Sequence, residues 1–134
     1  MGSALNRAGP FPSAFGSLSM LKVSRTKQGR LSILSLGGRL DAESKCELEK
    51  ELRDLIDAGD RSILIDMEDL SYISSAGIAL ILSIRKELAE SGSLALARLQ
   101  SFVKKVFEAA ELNDVLTLLD GESEINGFMT RFSG

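Results

Sequence analysis

The sequence predicts a layered α/β domain: a four- to five-stranded, mostly parallel sheet with about four helices. Two observations carry this reading. Apolar runs of strand length alternate with runs of helical period in the order β-β-α-β-α-β-α-β-α, and strands joined through a crossover helix pair in parallel. In addition, Ile63-Leu64-Ile65 is apolar on both faces, as a strand covered from both sides must be. The 134 residues suit one such domain.

Residues 1–19 stand outside the pattern. They read MGSALNRAGPFPSAFGSLS, hold both prolines and carry one charge, Arg7. A segment of this composition closes no core, so a flexible tail or cloning remnant is expected at 1–19 and the domain at 20–134. No signal-peptide apolar run follows its start, and Asn6 breaks the myristoylation pattern. No apolar stretch is long enough to span a bilayer, so a cytoplasmic protein is expected.

Leu21–Arg25 and Leu31–Leu36 are the first two expected strands, joined by a polar turn at Gln28-Gly29. A helix over 42–58 follows, with Asp41 as its N-cap and Gly59 as its terminator. Leu48, Leu52, Leu55 and Ile56 share one face of it. Ile63–Asp66 is expected as an inner strand. A second helix spans 75–90, a strand Leu94–Leu99, and a third helix 101–111. That third helix has Phe102, Val103, Val106, Phe107 and Ala110 as its apolar stripe. Val115–Leu119 reads as a last strand and Glu122–Phe132 as a terminal helix.

Composition removes whole classes of chemistry. Without histidine there is no Ser-His-Asp triad, no histidine–metal site and no phosphohistidine relay. Cys46 is the single cysteine, so no intramolecular disulfide or cysteine zinc site forms. A pI near 5.0 argues against a nucleic-acid partner. An enzyme would have to work with carboxylates, hydroxyls and lysines alone.

In open α/β sheets, function gathers where strand carboxyl ends lead into helix N-termini. Two loops qualify: 37–41, Gly37-Gly38-Arg39-Leu40-Asp41, and 69–77, which ends in Ser74-Ser75-Ala76-Gly77. Ser75-Ala76-Gly77 is half of a nucleophile elbow, but Ile73 stands where its first glycine belongs and no base exists. S-x-x-K occurs at Ser83 and at Ser101, without the elements that accompany it in known enzymes. Asp66, Glu68 and Asp69 read as a solvated strand end before a Mg²⁺ site, Gly37-Gly38 lacks the remaining glycines of a phosphate loop, and Cys46 reads as a small apolar residue. No catalytic residue, metal or cofactor is therefore assigned. The second helix is unusual in being apolar all round over 76–82, which means either a core helix or an exposed docking face.

The ordered set Gly38-Arg39-Leu40-Asp41, Leu48-Glu49, Leu52, Leu55-Ile56, Gly59, Ile63-Leu64-Ile65-Asp66, Tyr72-Ile73-Ser74-Ser75-Ala76-Gly77-Ile78, Gly92 and Val103-Lys104-Lys105-Val106-Phe107 resembles a STAS domain of the bacterial anti-sigma-factor antagonist branch. The resemblance covers roughly residues 20–132. It implies a protein that binds a serine-kinase anti-sigma factor and so frees a sigma factor for transcription. It also implies inactivation by phosphorylation of a serine opening the second helix, with a PP2C-type phosphatase reversing it. That serine corresponds to Ser75; the family's preceding aspartate is Ser74 here, which leaves Ser74 as the alternative acceptor. Arg39 stands where the family has an acidic or variable residue. By the same resemblance Arg39, Leu40, Asp41, Ile73, Ser74, Ser75, Ala76, Gly77 and Ile78 are expected at the partner surface, with Lys104 at its rim. Other members of the family are non-phosphorylated scaffolds of stress-signalling complexes or small subunits of lipid-transport ATPases, and those readings stay open.

Overall fold

The computed structural model describes residues 20–132, and the tail expected at 1–19 lies outside them. Five strands form one sheet in the order β1-β2-β3-β4-β5: Leu21–Gln28, Leu31–Leu40, Ser62–Ile73, Ser93–Ala97 and Thr117–Leu119. β1 pairs antiparallel with β2 across a two-residue turn; every other pairing is parallel. Four helices, α1 (Lys45–Asp57), α2 (Ser75–Leu88), α3 (Ser101–Ala109) and α4 (Gly121–Thr130), complete the α/β layering that the element order predicts.

Strand alternation sorts the core into two layers. Leu34, Leu36, Ile63, Ile65, Leu94 and Leu96 face α1, α2 and α3, where Leu52, Ile81, Ile84, Val103 and Phe107 meet them. Leu31, Leu64, Ala95 and Ala97 face the other way, under Ile125, Phe128 and Phe132 of α4 and its end. Covering from both sides is why Ile63-Leu64-Ile65 carries no polar residue.

The largest departure from the sequence reading is at the carboxyl ends of β2 and β3. The expected loops at 37–41 and 69–77 are strand as far as Leu40 and Ile73, and the second is helix from Ser75. The two strands run on together past the end of β4, which stops opposite Asp66. Their register slips twice, Ser35↔Asp66 being followed by Gly37↔Asp69, and Gly38↔Leu70 by Arg39↔Tyr72. Each slip is a bulge with one extra residue on β3. Gly37-Gly38 belongs to this ribbon and not to a phosphate loop. Gly38 has φ +92°, and a Cβ there would lie 2.0 Å from the carbonyl oxygen of Met20, so only glycine fits.

Smaller corrections follow from packing. α1 begins regularly at Lys45, because residues 42–44 form a tighter turn first. Phe102 is exposed at 55% and Ala110 is also outside, so the buried stripe of α3 is Val103 and Phe107. Cys46 is exposed. No described helix is long and apolar enough to cross a membrane.

Candidate functional site

The overhanging ends of β2 and β3 deliver Asp41 and Ser74 side by side. The backbone N–H of Ser74 donates to the carbonyl of Leu40 at 2.9 Å, which ties the start of α2 to the residue before Asp41. Asp41 is half-buried and organises the turn into α1. Its Oδ1 accepts from the N–H groups of Glu43 (3.1 Å) and Ser44 (3.0 Å), while its carbonyl accepts from Lys45. It thus does the work of an N-cap although the regular helix starts later. The Ser44 hydroxyl accepts from the Asp41 N–H at 3.0 Å and donates to the Arg39 carbonyl at 2.9 Å, closing the turn from beneath. The Ser44 N–H holds the Asp41 carboxyl below its ordinary range, helped by the Ser44 hydroxyl, the Glu43 N–H and Arg39. The group is a carboxylate at any physiological pH.

α2 opens with two hydroxyls in different situations. Ser74 is its N-cap, half-buried, with Oγ accepting from the N–H of Gly77 at 3.3 Å. Ser75 is the first helical residue and its side chain is exposed. The unpaired N–H groups of that turn and the positive end of the helix favour an anion there. The helix behind is mostly core: Gly77, Ile78, Leu80, Ile81, Ile84 and Leu88 are buried, and only Ser75, Ala79 and Ser83 are exposed on its first turns. The all-round apolar pattern therefore belongs to burial, and the exposed strip is one of small residues.

The ten residues expected at a partner surface divide accordingly. Arg39, Asp41, Ser74, Ser75 and Ala76 meet at an accessible surface. Leu40 (0% exposed), Ile73 (2%), Gly77 and Ile78 lie beneath it, so the expectation that their side chains face a partner is corrected. They support the surface from the core. Gly77 packs so tightly that a Cβ there would lie 2.8 Å from Leu40 Cγ. Lys104 is turned elsewhere, its ammonium pairing with Asp120 at 2.9 Å near the β5 edge.

An aromatic stack that no sequence motif marks lies beside this surface. The guanidinium of Arg39 lies over the ring of Tyr72, 4.1 Å from its centroid, and Tyr72 stacks on Phe102 at 6.2 Å. In the sequence Phe102 falls within the apolar stripe of α3, and no spacing sets it apart from that stripe. Asp66, among the candidate metal carboxylates, is engaged by Arg98 at 3.0 Å and accepts from the N–H of Glu68. Among the described residues no cluster of acidic, histidine or cysteine side chains is arranged to hold a metal ion.

Residues 22–125 match the family model of the STAS domain. The chain belongs to the STAS domain family. A Bordetella bronchiseptica protein named as the anti-sigma factor antagonist BtrV is 35% identical over 89 residues, which is 66% of this chain and 77% of that one. In three dimensions this STAS domain resembles a Thermotoga maritima protein described as an anti-sigma factor antagonist. The TM-score is 0.75 at 22% identity, covering 81% of this chain and 95% of that one. It also resembles the phosphorylated form of the Bacillus cell fate determinant SpoIIAA, with TM-score 0.60 at 23% identity over 78% and 97% of the two chains. At these identities the structures speak for the fold. The five-stranded sheet of this STAS domain places the Asp41 turn and the α2 N-terminus together at the carboxyl end of its inner strands β2 and β3.

Proposed function

We propose that this STAS domain is an anti-sigma factor antagonist, acting in the cytoplasm by binding a serine-kinase anti-sigma factor so that a sigma factor is released. Phosphorylation at Ser75 by that kinase switches binding off, and a PP2C-type phosphatase restores it. The contact surface consists of Arg39, Asp41, Ser74, Ser75 and Ala76. One observation supports this reading above the others: of the two adjacent hydroxyls, Ser75 is exposed at the first turn of α2, whereas Ser74 is half-buried and already holds the N–H of Gly77. The names of the relatives point the same way.

The chemistry of the switch is electrostatic. A phosphate on Ser75 brings roughly −1.5 to −2 charges to a helix N-terminus that tolerates them, so the fold is kept. The same charge lands beside the Asp41 carboxylate. A partner shaped for a neutral hydroxyl would then have to desolvate a dianion next to a carboxylate, and the complex dissociates. The test is capture of the kinase from the native extract in the presence of ADP, followed by incubation with ATP and phosphopeptide mapping. Label on Ser75 with loss of the complex is expected; recovery of no serine kinase, or label confined to Ser74, overturns the assignment.

A further inference from the structure

The opposite end of the sheet carries a separate feature. Because β2, β3 and β4 are parallel, Arg30, Arg61 and Gly92, which immediately precede them, share one end. Asp41 and Ser74 follow β2 and β3 and mark the other. Two clefts open at the Arg30 end. The larger, about 440 Å³, is bounded by Arg85, Arg131, Ser93 and Thr117 against an apolar wall of Leu88 and Phe128. The smaller, about 370 Å³, is bounded by Lys27, Arg30, Arg61 and Ser91.

The clefts adjoin. The N–H of Ser93 donates to the carbonyl of Arg61 at 2.8 Å, so the short turn before β4 is the wall between them. The turn packs closely on Arg61, since a Cβ on Gly92 would lie 2.2 Å from the Arg61 carbonyl oxygen. Arg30 Nη2 donates to the carbonyl of Arg131 at 3.2 Å, and both guanidiniums stand against the Phe132 ring, 5.8 and 5.5 Å from its centroid.

Guanidiniums at this end lack close ion pairs among the described residues, although the Glu87 carboxylate still feels the charge of Arg61. Arg25, Arg53 and Arg98 each have a carboxylate oxygen within 3.0 Å. Among the described residues none of Arg30, Arg61, Arg85 and Arg131 has one within 4.0 Å. Asp60, which lines the smaller cleft, is engaged by Lys27, and Glu87 is engaged by Arg53. Concentrating guanidiniums that have no close carboxylate among the described residues around two concave sites, in a chain of net charge −3, leaves this end suited to an external anion. Planar guanidinium forks match phosphate oxygens, and the hydroxyls of Ser93 and Thr117 add donors.

We propose that this end of the domain binds a phosphate-bearing ligand, with Arg85 and Arg131 holding a phosphoryl group in the larger cleft and Arg30 and Arg61 serving the smaller one. The site lies at the opposite end of the sheet from Ser75, at the C-terminal end of α2, which supplies Arg85 and Leu88 to it. The chemistry is shared by free phosphorylated small molecules and by phospholipid headgroups, and the test separates them. Inorganic pyrophosphate is titrated into ¹⁵N-labelled protein at low salt, and the protein is sedimented with phosphatidylglycerol or with phosphatidylcholine vesicles. Saturable shifts at the Ser93 and Thr117 amides are expected if the ligand is free; selective sedimentation with phosphatidylglycerol is expected if it is a headgroup. The paired substitution Arg85→Gln, Arg131→Gln should weaken whichever binding is seen by about tenfold or more, since it removes two charge-assisted contacts. Arg30→Gln with Arg61→Gln is the second variant should the first lose its native spectrum, and Lys105→Gln, an exposed lysine on α3, should change nothing. Neither binding mode, or binding equally strong in both paired variants, overturns the proposal.

Discussion

Ser74 and Ser75 differ by one position and by almost everything else. Ser74 accepts from the N–H of Gly77 and sits partly under the surface; Ser75 projects from the first turn of α2. Removing each hydroxyl should therefore do a different thing. Ser74→Ala removes a cap and should cost about 1 kcal/mol of stability, read as a lower denaturation midpoint, while phosphorylation persists. Ser75→Ala should leave the midpoint in place, keep partner binding and abolish ATP-dependent release; Ser75→Asp should weaken binding with the fold intact. A Ser75→Ala protein still released by ATP would move the switch elsewhere. Under the proposed function Asp41 has a double role, because the carboxylate that holds the turn into α1 also lies on the surface proposed for the partner. Asp41→Asn keeps an acceptor oxygen for the Glu43 and Ser44 N–H groups and removes the charge; Asp41→Ala removes both. Binding that falls equally in the two, with stability lowered less in Asp41→Asn than in Asp41→Ala, assigns the charge to the partner. If Asp41→Asn binds like the wild type, its role is confined to the turn.

Among the elements, those with a single periodicity were legible and the ribbon was not. α1 was readable because Leu48, Leu52, Leu55 and Ile56 recur on one face, and all four are buried. The inner part of β3 was readable because Ile63, Leu64 and Ile65 are apolar on both sides. Beyond Asp66 the core positions are Met67, Leu70 and Ile73, spaced by three, a period that fits no regular strand. The two bulges make that spacing work, each turning the chain by one residue so that the next apolar side chain returns to the core face. A spacing of three looks like a loop in the sequence, and the site sits at its end, so the burial of Leu40 and Ile73 beneath the site is not legible from periodicity. The same packing limits Gly77. An alanine there gains up to ~1 kcal/mol of helix propensity, but its methyl would press on Leu40 and Ile73, both in the core, and overpacking of this kind costs about 1–3 kcal/mol. Net destabilisation is expected, together with shifted amide resonances for Arg39 and Asp41, whose positions rest on Leu40. Leu52, fully buried under the sheet, should cost about 2–5 kcal/mol as alanine. A melting curve unmoved by Leu52→Ala would remove α1 from the core.

At the scale of the whole molecule, charge and titration set the working range. The chain has no histidine, so no side chain of that type titrates between pH 5 and 8, and nothing in the core changes charge there. The groups whose acidity folding shifts are at the extremes. Asp41 is held low first by the Ser44 N–H, and Glu87 first by its hydrogen bond to Arg53, so both carboxyls bind protons less readily folded than unfolded. A depressed carboxyl contributes stability that is fully present above its unfolded value, 3.8 for Asp41 and 4.5 for Glu87, and is lost as pH falls through the folded value. Arg98 and Lys104 are shifted upward, first by hydrogen bonds to Glu122 and Asp120, so their contribution is fully present throughout the neutral range and fades only at strongly alkaline pH. Stability should therefore be flat from about pH 6 to 8 and fall on acidification below about pH 4.5. Urea denaturation measured across this range checks it. Asp41→Asn and Glu87→Gln should each flatten part of the acid limb, Glu87→Gln at the higher pH, and leave the neutral plateau level. A stability step between pH 6 and 8 would require a titrating group that this fold does not bury, and would overturn the account.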